Sequence, residues 1–235
     1  MYTKSAAYYD QLYQFMDYAD TADRVRERIL EQVPAARTLL DVGCGTGQHL
    51  EHLSRTFEVE GLDLNPELLR IARERCPGVR FHQGDMTAFV LPARFDVIAC
   101  LFSAIGYVRT LENMRRTIAT FARHLSPGGL VLVEPWFTPE SFWTNTLTTN
   151  VTEHGDRKIV WMYTSRREDR LAVLDIHYLV GQPSGVDHFT ERHELGLFTH
   201  EEYMAAFRDA GLTPEHDPLG IRRRGLYLGR STAAA

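Results

Sequence analysis

The chain has 235 residues, enough to bury one substantial core, and its 44% hydrophobic and 24% charged residues match a water-soluble globular protein. A formal net charge of −5 lacks the basic surplus of nucleic-acid binders, and three scattered cysteines form no disulfide framework. No apolar run approaches the ~18 residues of a membrane span, and the opening "MYTKSAAYYDQLY" lacks the apolar centre of a signal peptide, so a cytoplasmic protein that binds neither nucleic acid nor membrane is expected.

Ala22, Val25, Ile29 and Val33 recur at helical spacing, which predicts an amphipathic helix over about 20–33. "TLLDVG" (38–43) reads as a short apolar strand, and "TGQHLEHLSRTF" places Leu50, Leu53 and Phe57 on one helical face. "EVEGLDL" (58–64) is a second strand, after which Asn65 caps a helix that has Pro66 at its first position. "VRFHQGD" (79–85) and "FDVIACLF" (95–102) follow as strands, the latter apolar on both faces, as in a buried parallel sheet. A helix over "LENMRRTIATFARHL" turns Met114, Ile118, Phe121 and Leu125 inward, "SPGG" turns the chain, and "LVLVEPW" (130–136) is a fifth strand.

The rhythm then changes. "KIVWMYTSRRE", "LAVLDIHYLV" and "VDHFTERHELGLF" are strand-like runs with no helix between them, which predicts a three-stranded antiparallel meander inserted at about 150–198. Thr199 and Glu202 form a capping box for "EEYMAAFRDA", Gly211 ends that helix, "RGLYLG" is a last strand and "STAAA" a frayed tail. The expected fold is α/β: one domain over 1–235 with a doubly wound, mostly parallel seven-stranded sheet, Rossmann-like, carrying the inserted antiparallel layer.

Ligands of open parallel sheets sit at the carboxyl ends of the strands, so the stretch "LLDVGCGTGQHL" (39–50) is the place to look. Gly43 and Gly45 permit positive φ and remove Cβ atoms that would block a ligand, and Gly47 lets the next helix approach. Asp63 follows about 20 residues on, where an acid accepts hydrogen bonds from ribose hydroxyls. The spacing is G-x-G-x-G behind Asp41, not the dinucleotide G-x-G-x-x-G, and "TGQHL" offers no Walker lysine. An acid before the loop suits a cationic or amine-bearing ligand better than a pyrophosphate, which makes a dehydrogenase the weakest reading.

That stretch resembles the first motif of class I S-adenosylmethionine (SAM) methyltransferases, and "GLDLN", "GDM", "FDVIACLFSAIGYV" and "LSPGGLVLVEPW" resemble their later motifs in order. The resemblance implies SAM as cofactor and S-adenosylhomocysteine as its product; no spacing in the chain makes a metal site, so no metal is expected. It implies that the loop of Gly43 and Gly45 holds the methionine part, while Asp41 orients the loop or meets the amino group. Asp63, with Leu64 beside it, takes the ribose; Asp85 accepts from the adenine amine, with Met86 packing; Leu101 and Phe102 flank the methionine. Tyr9 and Tyr18 are expected on an N-terminal arm and helix (1–33) that closes over SAM.

Longer stretches, among them "YYDQLY", "VEPWFTPESF", "HFTERHELGLFTHEEYMAAFRDAGL" and "RRRGLYLG", resemble the bacterial TDP-amino-sugar N,N-dimethyltransferases of antibiotic pathways, over nearly the whole chain. That implies a TDP-linked amino deoxysugar as the acceptor and a homodimer as the expected assembly. Catalytic candidates are Tyr107, orienting the amine, His177, and Glu134, which either meets a polar substrate group or is a buried paired acid. Trp136 and Phe137 wall the pocket or pack as core. Alternation puts Leu171, Val173, Asp175 and His177 on one strand face, and Arg166 with His177 suits a diphosphate or a sugar hydroxyl. His188 and His193, five apart, face opposite sides of their strand. The amino-sugar enzymes carry Pro-Ser-Gly-Arg-Gly-Leu where this chain has Ile221-Arg222-Arg223-Arg224-Gly225-Leu226. Arg224 matches their arginine and is a substrate-binding candidate, whereas Arg222 and Arg223 read as a solvated turn or, alternatively, as a basic site mouth that holds an anionic substrate. Two alternatives keep every SAM motif: a small-molecule O-methyltransferase and a non-catalytic SAM-binding module.

Overall fold

The computed structural model describes residues 3–232. A 3-10 turn (Ser5–Tyr8) and a short helix α1 (Tyr9–Leu12) lead into α2 (Tyr18–Gln32). Strands and helices then alternate through β1 (Thr38–Val42), α3 (Gln48–Leu53), β2 (Glu58–Asp63), α4 (Pro66–Arg75), β3 (Arg80–Gln83) and β4 (Phe95–Cys100). A 3-10 turn (Ala104–Val108) leads to α5 (Leu111–Arg123) and β5 (Leu125–Val133). Four strands follow, β6 (Thr146–His154), β7 (Arg157–Glu168), β8 (Leu171–Gln182) and β9 (Gly185–Gly196), and the chain finishes with α6 (His200–Asp209), β10 (Leu212–Asp217) and β11 (Leu226–Ser231).

Polar side chains start the helices where the sequence places them. Asn65 Oδ1 accepts from the amides of Glu67 and Leu68 at the start of α4. Thr199 and Glu202 exchange both bonds of the capping box at the start of α6. Gly211, at φ +78°, ends α6 in the left-handed region.

The main sheet has the order β10-β11-β5-β4-β1-β2-β3, and β11 alone runs against its neighbours. Alternate residues of the central strands feed two cores. Leu40, Val42, Ile98, Cys100 and Val131 pack against Met114, Ile118 and Phe121 of α5 and Tyr203 and Phe207 of α6. On the other face, Leu39, Val97, Ala99 and Leu130 pack against Val25 and Ile29 of α2, Leu50 and Leu53 of α3 and Leu69 of α4. The strand order reverses between β1 and β4, which opens a crevice at their carboxyl ends.

Several expectations need correcting. The insert is a separate sheet of four strands, β6-β7-β8-β9, beginning at Thr146, and not a three-stranded layer. Its inner face covers α1 through a third apolar cluster that joins Leu12 to Trp161, Leu174, Tyr178 and Leu195. The "SPGG" turn lies inside β5, whose pairing with β4 shifts register between Phe95 and Val97. Phe57 is buried beyond the end of α3. Edge strand β10 follows α6, where no strand was foreseen. Ser231 belongs to β11, so only Thr232 of the described residues fits a tail; residues 233–235 lie outside them. Among the described residues, no helix is long and apolar enough to cross a membrane.

Replacing Thr199 by Ala leaves the first amides of α6 without their side-chain acceptor. The expected loss is about 1 kcal/mol, read from the urea midpoint; an unchanged midpoint contradicts the cap's contribution.

Candidate active site

The loop after β1 is folded by glycine geometry. Gly43 (φ +78°) donates its N–H to Leu62 O at 2.7 Å, which lays the loop across the end of β2. A Cβ on Gly43 would stand 2.7 Å from the Cβ of Ala104, and one on Gly47 (φ +77°) 3.3 Å from that of Ala72 in α4. Asp63 holds the loop from the neighbouring strand: its Oδ2 accepts from Gly45 N and its Oδ1 from Asn65 N, both at 2.8 Å. Burial pushes the Asp63 carboxyl up, and the amides of Asn65, Gly45 and Leu64 only partly offset this.

A cavity of about 490 Å³ opens over this loop. Its walls include Tyr9, Gly43, Gly45, Asp63, Leu64, Asp85, Met86, Leu101, Phe102 and Tyr107, so the structure gathers these ten sequence candidates in one place. A small recess beneath joins Tyr9, Tyr18, Asp41, His49, Leu101 and Phe102. Asp41 is 2% exposed, and its Oδ2 has no hydrogen-bond partner. Burial, reinforced by the Asp63 charge, pushes its carboxyl up to about 7. Tyr18 Oη and His49 Nε2 are likewise buried without partners. Burial, and then the Arg222 charge, pushes His49 down to about 3, so its ring is neutral. Each of these atoms loses hydration without compensation unless a polar ligand answers it.

The roof depends on a strained turn. Phe102 and Ser103 sit at φ +51° and +61°, uncommon for residues other than glycine. Glu134, 1% exposed at the end of β5, fixes them by accepting from Phe102 N at 2.7 Å. Its other oxygen accepts from Arg222 Nε at 2.9 Å, and the guanidinium lies 4.3 Å from the Phe102 ring centre. Glu134 is thus the buried, paired acid of the two alternatives. Arg222 is not a solvated turn residue: its side chain is 18% exposed and ion-paired. Arg223 is exposed.

The aromatic cluster of Trp136, Phe137 and Trp143 stands beside the 3-10 turn that carries Tyr107. Arg224 reaches over it, 4.8 Å from the Phe137 ring and 5.2 Å from that of Trp136. The indole Nε1 of Trp136 is buried and unpartnered. Tyr107 Oη lies 2.7 Å from His193 Nδ1 on β9.

The structure does not bring His177 and Arg166 to the cavity. Alternation grouped Leu171, Val173, Asp175 and His177 correctly, but the inner face of β8 is the other one, Ala172, Leu174, Ile176 and Tyr178. His177 stacks on His188 at the surface, and Arg166 is ion-paired with Glu168 and Asp175. Arg109, Asn113, Arg192 and Glu194 line the cavity unforeseen, because nothing in the sequence shows that β9 lies against the 3-10 turn. His49 was missed too, since its spacing reads only as a helix face.

A glycine loop at the first strand, acids at the tips of the strands beside it and a cavity over the order reversal define a SAM-dependent methyltransferase. The family profile described as a methyltransferase domain matches residues 39–129. The chain is 40% identical over 91% of its length to dTDP-3-amino-3,4,6-trideoxy-alpha-D-glucopyranose N,N-dimethyltransferase of Streptomyces venezuelae, of which it covers 91%. It is 41% identical over 91% of its length to dTDP-4-amino-2,3,4,6-tetradeoxy-D-glucose N,N-dimethyltransferase of Saccharopolyspora spinosa, of which it covers 86%. The solved structure of SAM-bound CalS10, an amino pentose methyltransferase from Micromonospora echinaspora, superposes with a TM-score of 0.88 at 37% identity, over 99% of this chain and 98% of that one. The chain belongs to the class I SAM-dependent methyltransferases, in the family of the TDP-amino-sugar N,N-dimethyltransferases. SAM fits the residues present: its ammonium would answer Asp41 Oδ2, its carboxylate the Tyr18 hydroxyl, and its ribose diol Asp63.

Asp63→Ala removes the acceptor that holds Gly45 and faces the cavity. Loss of charge-assisted hydrogen bonds weakens SAM binding by about 10- to 100-fold in calorimetry; unchanged affinity removes Asp63 from the cofactor site. Asp41 gives a pH signature. Its folded-state carboxyl is raised, so the stability it contributes is full below about pH 4 and falls as pH rises toward about 7. Asp41→Asn should therefore make the ligand-free protein relatively more stable at pH 7 than at pH 4.5, compared with the parent in urea unfolding. Parallel pH curves contradict a raised Asp41.

Proposed function

We propose that this chain transfers methyl groups from SAM to the amine of a nucleotide-linked amino deoxysugar, giving the N,N-dimethyl product. The observation that carries this reading is similarity at about 40% identity to two such enzymes along nearly the full chain, antiparallel sheet included. Their names place the amine at different ring carbons, so the reading commits to an amine and not to its position.

Bound over the glycine loop, SAM supplies a methyl group on a positively charged sulfur. Asp41, Gly43, Gly45 and Asp63 hold its methionine and ribose, and Asp85 with Met86 holds the adenine. Leu101 and Phe102 flank the methionine and exclude water. The arm of residues 3–33 closes the cavity with Tyr9 and Tyr18. Tyr107 accepts a hydrogen bond from the acceptor's N–H and so aims the nitrogen lone pair along the line of attack. Positioning of this kind supplies a large part of the barrier reduction in a displacement reaction. Trp136 and Phe137 pack the sugar face, the unpartnered Trp136 N–H donates to a sugar hydroxyl, and Arg224 meets the diphosphate. Glu134 acts at one remove, by holding Phe102 in place.

The same reading includes a homodimer. Leu147, Val151, Met162, Leu179 and Val186 are exposed on one face of the antiparallel sheet, an apolar patch suited to a second copy. The unpaired cysteines Cys44, Cys76 and Cys100 support a reducing, cytoplasmic setting.

Incubation with SAM and a TDP-3-amino-3,6-dideoxyhexose or its 4-amino isomer should add one and then two methyl groups by mass spectrometry. Turnover of hydroxyl acceptors, with every amino sugar unchanged, contradicts the amine reading. Sedimentation should give twice the chain mass, and Met162→Asp should lower it to the monomer; a monomeric parent rejects the dimer.

A further inference from the structure

Behind Tyr107 stands a chain of groups that substrate positioning alone does not require. Tyr107 Oη is 2.7 Å from His193 Nδ1, and His193, 2% exposed, has its Nε2 3.4 Å from Glu191 Oε2. Glu191 and His193 are two apart on β9 and so share its inner face. Glu191 also accepts from Thr3 N at 2.9 Å, Thr3 Oγ1 at 2.7 Å, Ser5 N at 3.1 Å and the Ser5 hydroxyl. Burial opposes its ionisation, but the hydrogen bonds from His193, Ser5 and Thr3 outweigh it and hold the carboxyl well below the usual range.

An ionised carboxylate only accepts hydrogen bonds, so His193 Nε2 carries the proton. Nδ1 is then a lone pair, and the Tyr107 hydroxyl must donate to it. A hydroxyl committed to that bond can act toward the cavity, which Tyr107 lines, only as an acceptor. Burial keeps His193 below its ordinary range despite Glu191, so the ring rests neutral and ready to take a proton.

We propose that Glu191 and His193 are positioning residues acting through Tyr107, which they turn into an obligate hydrogen-bond acceptor and the first member of a proton relay from the substrate ammonium. This rests on the amine reading above. As the ammonium N–H bond breaks, its proton joins the Tyr107 oxygen, the original Tyr107 proton moves to His193 Nδ1, and the imidazolium is held against Glu191. The free amine then attacks the methyl. The methylated ammonium must lose a proton before a second transfer, so the relay operates once per methyl after His193 returns its proton to water. Because Glu191 also ties down Thr3 and Ser5, the docked arm and the relay share one carboxylate. Among the described residues, Tyr107 faces His193 and Tyr178 on β8 faces Glu191, whereas Arg192 and Glu194 point to the other face of β9.

The test is kcat against pH for the full chain with SAM and a TDP-amino sugar, comparing the parent with His193→Gln, Glu191→Gln and Glu191→Asp. A glutamine at 191 can donate to Nε2, which moves the ring proton to Nδ1 and reverses the Tyr107 bond. His193→Gln and Glu191→Gln should each lower kcat about tenfold near pH 7, His193→Gln with the KM for SAM unchanged, the deficit narrowing as pH rises and solvent deprotonates the amine. Glu191→Asp should keep most of the rate. A deficit constant across pH marks a merely structural role and overturns the relay, as does no deficit. A parent inert toward every amine overturns the amine reading and the relay together, whereas an active parent with parallel profiles overturns the relay alone. Nitrogen-15 spectra of the parent's histidines need no variant: His193 should be the Nε2–H tautomer at pH 8, and an Nδ1–H tautomer overturns the proposal.

Discussion

A carboxylate taken out of water must find a partner, and this protein places three, buried Asp41 and Glu134 and half-buried Asp63, toward the carboxyl ends of β1, β5 and β2. Asp63 is answered by the amides of Gly45 and Asn65, and Glu134 by Phe102 and Arg222. Asp41, between them on β1, keeps one oxygen without a partner. The two satisfied acids shape the glycine loop and the strained turn on either side of the cavity. The third leaves an uncompensated site whose natural complement is a cation. Replacing bulk water by fixed amides and one unanswered carboxylate is how the fold prepares for a sulfonium cofactor with a free ammonium.

The second sheet carries the residues proposed for the acceptor. Its inner face packs on Leu12 of α1, so the N-terminal arm and the antiparallel strands form one apolar body. Edge strand β9 reaches the cavity with Arg192 and Glu194 and backs Tyr107 with His193. The arm and the acceptor site proposed for it are therefore joined, and the glycine loop is tied to the arm as well, Thr46 Oγ1 donating to Asp10 Oδ1 at 2.6 Å.

Much of this was legible from the sequence, for a physical reason. The glycine loop and the acids of β1, β2 and the turn after β3 sit on short connections at consecutive strand ends, so spacing along the chain maps directly onto position in space: Gly43, Asp63, Asp85 and Tyr107 line one cavity, and Asp41 lies in the recess beneath. The missed strands, β6 and β10, are sheet edges. One side of an edge strand faces solvent or ends pairing, so "TLTTNVTEH" and "LTPEHD" carry polar residues, and in β10 a proline, where a central strand would be apolar. His177 illustrates a different limit. Period-two alternation tells which residues share a face, not which face meets the core, and this sheet bears apolar side chains on both. The pairing of Arg222 with Glu134 joins residues far apart in the chain and leaves no local trace.

Everything rests on the cavity over the first strand accepting an adenosyl sulfur compound between the strand-end acids. The most direct measurement is a crystal structure of this chain grown with S-adenosylhomocysteine. The ammonium is expected within about 3 Å of Asp41 Oδ2 or one water away, and the ribose hydroxyls on Asp63. Density for the ligand elsewhere, or a ribose turned away from Asp63, contradicts it.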